Sequence, residues 1–430
     1  MGPVNKFMKI IGAVAVINII ARLFGFLREV AIADEYGTTD PANAIFTAYT
    51  IPNFIYLVVG GALTTAFISV YHSSKSDKGE YVRKAFGTVL LAAVGITVVL
   101  LLLTDPVLNT FFKDLNEEEF TLTRELYLWM MPSTIVLVLS TWMSGIFNIN
   151  GKFNLSSMAI LLYNAAFVGI AVALTGTFGV QAYGIGALVS ALLMGIFLYA
   201  GLRKAQFYSL KPSFEMSDDI KRLWVIALPI LFGGASLQFY NVIYRIAAAT
   251  LEGGAISVVN YASKLSAFPQ AIMMTAVTTV VYPLLSKKEG EGDDKTVRAL
   301  YKKGLLYMVA LFVPATLIAY FFAEPIISLV YGRGEFGYEE IMATTPVFQA
   351  FNWSMFFLAA TTYVTRFYYA KGNSMTPVIF SLISVFGINL AVIYLMIDSH
   401  GATAIAYGTV ISAAINFLML AAYARWKWKL

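Results

Sequence analysis

The sequence predicts an all-α, polytopic membrane protein of about twelve transmembrane helices in two parallel six-helix lobes. Three observations predict it. Hydrophobic residues make up 59% of the 430 and charged ones only 13%, with mean hydropathy +0.72, too few charges to cover a soluble surface of this size. Apolar runs of about 20 residues recur, each long enough to cross a hydrocarbon core of roughly 30 Å. The alternating ten-residue stretches of membrane β-barrels are absent.

Twelve runs read as spans: 8–33, 43–71, 85–104, 122–147, 155–175 and 180–202 in the first half, then 223–250, 255–286, 299–322, 342–370, 376–397 and 402–424. The first is too long for a signal peptide, and no small-residue cleavage site follows it. "MGPVNK" lacks the Ser or Thr at position 6 that myristoylation needs. There is no cysteine, so disulfides and thiolate metal sites are excluded. His72 and His400 lie far apart at span ends, which suits interfacial polar residues better than a metal pair, and no metal site is expected.

Charge sets the orientation. With the N-terminus inside, the inner segments hold 22 of the 30 Lys and Arg against 9 acids, net +13. The outer segments hold Lys113, Arg124 and Arg333 against 15 acids, net −12. This is the positive-inside pattern and puts both termini in the cytoplasm. The basic excess then needs no nucleic acid; anionic headgroups suffice.

The halves repeat. "GVQAYGIGALVSA" (179–191) pairs with "GATAIAYGTVISA" (401–413) at an offset of 222, matching Gly179/Gly401, Ala182/Ala404, Gly186/Gly408, Ser190/Ser412 and Ala191/Ala413. "NINGKFN" after span four corresponds to "YYAKGNSMTP" after span ten. Small residues also recur in membrane helices simply for close packing. Six spans per half give both halves the same orientation, so the repeat is parallel. The expected division is an N-terminal lobe at 1–202, a cytoplasmic linker at 203–222 and a C-terminal lobe at 223–430. Such two-lobed bundles are transporter architecture, with the substrate site between the lobes near the midplane. No channel filter, nucleotide-binding loop or hydrolytic constellation is present, so a transporter rather than an enzyme is expected.

Charges inside the spans point to the site, because an ionised group in lipid costs several kcal/mol on insertion scales unless it works in a wet cavity. Span one carries Arg22, Arg28 and Glu29; Arg245 lies in span seven, Lys264 in span eight and Arg366 near an inner end. Arg22 and Glu29 are seven apart and share a helix face. They read either as a structural pair or as part of the site. Arg245 reads either as a snorkelling side chain or as a ligand. Arg28 and Lys264 are the favoured substrate cations, suited to phosphate oxygens. In span two, Pro52, Asn53, Gly60 and Gly61 suggest a kink, with Asn53 free to bind; Pro269 and Pro283 offer the equivalent in span eight. Pro52, Gly60, Gly61 and Pro269 are the expected hinges.

Four stretches resemble one family. "ARLFGFLREVAIADEYG…DPANAIFTAYTIPNFI…GALTTAFISVY", "NYASKLSAFPQAIMMTAVTTVVYPLLSK" with "LVYGRGEF", and "RFYYAKGNSMTPV" are similar to the MurJ/MviN lipid II flippases of the MOP (MATE-like) exporter superfamily. The resemblance implies the MOP exporter fold and a flippase that moves a polyprenyl-pyrophosphate-linked glycan, lipid II first, from the inner to the outer leaflet of the bacterial cytoplasmic membrane by alternating access. It implies roles in peptidoglycan and cell-wall biogenesis and in cell shape, and contact with cell-wall synthesis proteins. The family's cavity arginine falls on Arg28, its further span-one arginine on Arg22, and its basic span-eight residue on Lys264. Departures stand beside these: Tyr56-Leu57 replaces a basic residue after "PN", Gly60-Gly61 replaces an acid-Gly pair, and twelve spans are read where the family usually has fourteen. No cofactor is expected, only a coupling monovalent cation or the membrane potential. The alternatives are a flippase for another undecaprenyl-linked glycan, a MATE-like drug antiporter and a non-transporting scaffold.

Overall fold

The structure, a computed structural model, describes the backbone of residues 3–233 and 236–430, and the side chains of these except 3–11, 232, 233, 236, 237, 275–280, 282 and 283. Every regular element among the described residues is helical. In the first half these are α1 (Pro3–Tyr36), α2 (Asp40–Phe54), α3 (Gly61–Ser73), α4 (Lys78–Leu102), α5 (Thr104–Phe111), α6 (Glu117–Met130), α7 (Ser133–Ile149), α8 (Phe153–Phe178) and α9 (Gln181–Ala205). In the second they are α10 (Asp218–Gly233), α11 (Ser236–Ala248), α12 (Ala255–Gly290), α13 (Asp294–Phe321), α14 (Ala323–Tyr331), α15 (Tyr338–Asn352), α16 (Ser354–Ala370), α17 (Met375–Leu382), α18 (Leu390–His400) and α19 (Ala402–Trp428). Two π-helical stretches, Ile55–Gly60 and Ile383–Asn389, join α2 to α3 and α17 to α18.

Among the described residues, seven helices are long and apolar enough to cross a membrane, and the α6–α7 pair, bent by 43°, makes an eighth. The other expected runs fall on α1, α10, α11, α12 and the α15–α16 pair. The chain is a multi-pass membrane protein.

Backbone geometry repeats where the sequence does. Gly179 caps α8 at φ 55°, ψ −138°, and Gly401 caps α18 at φ 52°, ψ −135°. A Cβ would strain that conformation, which explains a shared glycine. Gly151 and Gly372 take φ 70° and 71° in the two corresponding loops. The short helices α5 and α14 both begin with an acid-Pro pair, Asp105-Pro106 and Glu324-Pro325, after N-caps at φ −98°, ψ 20° and φ −106°, ψ 26°. Proline suits a first turn, where its missing N–H is no loss, and the carboxylate faces the positive helix end.

The chain forms two compact units. The first is Met1–Ala31 with Asp40–Gln238. Ala182, Gly186, Ser190 and Ala191 are all buried on α9. Gly186 lies so close to Phe167 and Ala171 of α8 that an added Cβ would meet the Phe167 ring at 3.2 Å. Close approach through small residues replaces the hydrophobic driving force that lipid cannot supply. Phe86 stacks on Trp142 at 5.1 Å and Phe67 on Tyr81 at 5.5 Å, filling the space between α3, α4 and α7.

The second unit is Ile32–Thr39 with Phe239–Leu430. The end of α1 belongs to it. Tyr261 donates its hydroxyl to the Gly37 carbonyl at 2.8 Å, and the Glu335 amide donates to the Asp34 carbonyl at 2.9 Å. Gly334 and Gly254, both at positive φ, leave no room for a Cβ against the Asp34 and Thr38 carbonyls. This accounts for Gly334 of "YGRGEF" and Gly254 of "EGGA". Ala404, Gly408, Ser412 and Ala413 are buried on α19, as their counterparts are on α9, and Tyr240 and Tyr244 of α11 bond Ser412 and Thr409 at 2.8 Å each.

The division differs from the one expected at 203–222. Helix α10 packs on α3 and α4 and counts with the first unit. The expected linker is fastened there: the Ser213 amide donates to the Arg83 carbonyl at 3.0 Å, and Lys84 pairs with Glu215 at 3.1 Å. A Cβ on Gly87 would strike the Ser213 carbonyl. Ser74 donates to Asp219 at 2.6 Å, tying the end of α3 to the start of α10. Burial opposes ionisation of Asp219, but hydrogen bonds from Ser74 and Ser76 and the charges of Arg222 and Lys78 outweigh it and hold the carboxyl below its usual range.

Candidate functional site

Helix α1 carries the first charges. Arg28 donates through Nη2 to Glu29 Oε1 at 3.0 Å, and their side chains are 15% and 5% exposed. One of the two readings of the helical spacing makes Arg22 the partner of Glu29. It is not: Arg22 is exposed and forms no ion pair with it. Two turns of helix separate them by about 10 Å of rise, whereas the adjacent guanidinium can curl back onto the carboxylate.

The guanidinium of Arg28 lies 4.6 Å from the centroid of the Tyr49 ring on α2 and 4.9 Å from that of Phe167 on α8. Those two rings are 5.9 Å apart and cross at 71°. Three similar separations make a corner, with both rings on one side of the cation. Tyr49 and Tyr163 share a hydroxyl hydrogen bond of 3.1 Å, and Tyr56 packs on Tyr163 at 6.3 Å. Asn164, next to Tyr163, donates to the Ala21 carbonyl at 3.0 Å and lies over Gly25, which brings α8 onto α1. Asn53, half-buried, follows Tyr49 by one turn on the same stripe of α2.

Pro52 is followed by the π-helical stretch Ile55–Gly60, so the expected break in span two is a widened turn. Single π-turns often mark functional positions. Gly60 packs closely on Thr141, where a Cβ would sit 3.2 Å from its hydroxyl, while a Cβ on Gly61 would meet no neighbouring helix within 4 Å. In span eight α12 continues as one helix through Pro269, and the second π-stretch lies in span eleven. The side chain of Pro283 lies outside the described residues.

In the second unit, Arg245 of α11 donates to Asn260 of α12 at 2.5 Å, and Asn260 is 1% exposed. This anchors Arg245 inward, against the snorkelling reading. Lys264 stands one turn beyond Asn260, half-buried on the same face of α12. Asn260, Tyr49, Tyr163 and Phe167 are not singled out by the sequence. Their signal is there, in polar-headed and aromatic residues within apolar runs, but such residues read equally well as packing.

Helices of this number and apolarity, in two units with repeated caps, and with basic groups inside the spans, have the architecture of a membrane transporter. Solved structures show the same fold. A lipid II flippase MurJ in an inward closed conformation matches with TM-score 0.84 and 22% identity over 96% of this chain and 87% of that one. An inward-facing multidrug resistance MATE family transporter matches with TM-score 0.84 and 14% identity over 96% and 98%. The family described as lipid II flippase MurJ matches residues 32–430. The chain belongs to that family. Curated relatives include the probable lipid II flippase MurJ of Rickettsia prowazekii, 25% identical over 97% of this chain and 83% of its own length. The lipid II flippase MurJ of Burkholderia cenocepacia is 26% identical over 94% and 81%. The protein is a transporter, not an enzyme.

Proposed function

We propose that this protein flips lipid II from the inner to the outer leaflet of the bacterial cytoplasmic membrane, with both termini cytoplasmic. The observation that carries the reading is Arg28. A guanidinium kept 15% exposed in a helix interior, held by rings and one carboxylate, is a costly group that a phosphate would use. In the second unit, Lys264 and the anchored Arg245 add basic groups. The pyrophosphate would meet Arg28 while the prenyl tail stays in lipid. Glu29 sets Arg28 in place, and a monovalent cation or the membrane potential supplies the drive.

The reading is tested by asking whether the gene supports growth of cells depleted of their own lipid II flippase. Wild type should do so, and Arg28→Ala at normal membrane level should not. Failure of the wild type, with another undecaprenyl-linked glycan moved instead, would replace lipid II as the substrate.

A further inference from the structure

We propose that the Tyr49–Phe167 corner, latched by the Tyr49–Tyr163 hydroxyl bond, is a positioning element that aims the Arg28 guanidinium at substrate. The proposal rests on the function proposed above. Four observations carry it. Both ring centroids lie within 5 Å of the guanidinium carbon, inside the range of cation–π attraction. Among the described residues no third ring stands over the guanidinium, and 15% of the side chain remains exposed. Tyr49 is held by a hydroxyl bond to a residue 114 positions away, so α2 and α8 fix the corner together. Tyr56, on the π-helical stretch of span two, packs on Tyr163 and braces the latch from the segment least bound to regular helix geometry.

The chemistry follows. An arginine has five N–H donors, and Glu29 takes one of the outer ones. A guanidinium free to rotate would present the rest in many orientations and lose entropy on binding each time. Rings that hold it on one side, without accepting its hydrogen bonds, leave the donors aimed and unspent. Tyr49, Phe167 and Tyr163 are therefore positioning residues, and Arg28 is the residue that touches substrate.

The test uses full-length protein in nanodiscs with nitrogen-labelled arginine, the Arg28 signals being assigned by their loss in Arg28→Ala. The wild-type signals should be shifted by the rings. Tyr49→Phe, which keeps the ring and loses the latch, should weaken that shift; Tyr49→Leu and Phe167→Leu, each of which leaves one ring, should weaken it further. In parallel, native mass spectrometry with lipid II should show Tyr49→Leu weakening binding roughly 2- to 30-fold. In an Arg28→Ala background the same change should have no further effect. Unchanged Arg28 signals in both leucine variants would overturn the proposal. So would an equal loss of lipid II binding with and without Arg28, which would mark a merely structural role. Signals that respond as expected in a protein that binds no lipid II would uphold the corner and overturn the substrate reading instead.

Discussion

Arg28 is a guanidinium inside an apolar helix, held by two rings and one carboxylate, and Lys264 is a half-buried ammonium in the other unit. Arg28→Ala and Lys264→Ala should each abolish transport at normal membrane levels. A charged hydrogen bond contributes about 1.5–3 kcal/mol, so lipid II affinity should drop roughly 10- to 150-fold. Glu29→Gln should loosen Arg28 and impair transport, while Arg22→Ala, at an exposed position, should cost far less. Transport assays that rank Arg22→Ala with Arg28→Ala would move Arg22 into the site. The importance of Arg28 is legible in the sequence, because a base within an apolar run is costly and this one has no local acid except Glu29. The ring corner around it is not legible, because Tyr49 and Tyr163 are 114 residues apart and nothing local links them. The Arg22–Glu29 pairing fails for a related reason: helical periodicity counts faces, not the reach of a flexible guanidinium.

At the scale of the element, the repeat is legible as spaced small residues and becomes geometry in matching caps and matching buried faces. The hinges are legible only in part. A proline signals a break without saying what replaces the helix, so span two holds a π-turn while α12 passes Pro269 unbroken. Gly408 should tolerate no side chain, since a Cβ would press on Asn389 and Ile393. Gly408→Val should lower stability by about 1–3 kcal/mol, read as a fall in Tm in detergent. Gly61→Ala meets open space and gains helix propensity, so Tm should hold or rise. A loss of transport in that variant at unchanged Tm would identify Gly61 as a working hinge; unchanged transport would remove it from that role. The Ser74–Asp219 clasp has its own signature. Its carboxyl titrates below the unfolded value, so its contribution is present above the usual carboxylate range and is lost as pH falls through it. Asp219→Asn should flatten that part of the pH–stability curve.

At the scale of the whole molecule, composition is enough for class, because lipid imposes it on any polytopic chain, and charge asymmetry gives the orientation to be tested. The unit boundary is not legible. The polar segment 203–222 looks like a linker, yet its hydrogen bonds to α4 and the packing of α10 keep it with the first unit. Orientation is checked with single cysteines, which meet no native background. Cysteines at the exposed positions Glu118 and Glu339 should react with an impermeant thiol reagent in intact cells, and those at Ser76, Met216 and Lys295 should not.

The central claim is that these bases inside the spans serve an anionic lipid-linked sugar rather than a cationic drug; a multidrug resistance MATE family transporter has the same fold. An organic cation beside Arg28 would add like-charge repulsion to an unfavourable transfer, whereas a pyrophosphate would neutralise the base. The direct measurement is native mass spectrometry of purified wild type and Arg28→Ala with lipid II and ethidium side by side. The account predicts lipid II bound to wild type, weakened in Arg28→Ala, and ethidium bound to neither. Ethidium binding that survives Arg28→Ala, with no lipid II bound by the wild type, would contradict it.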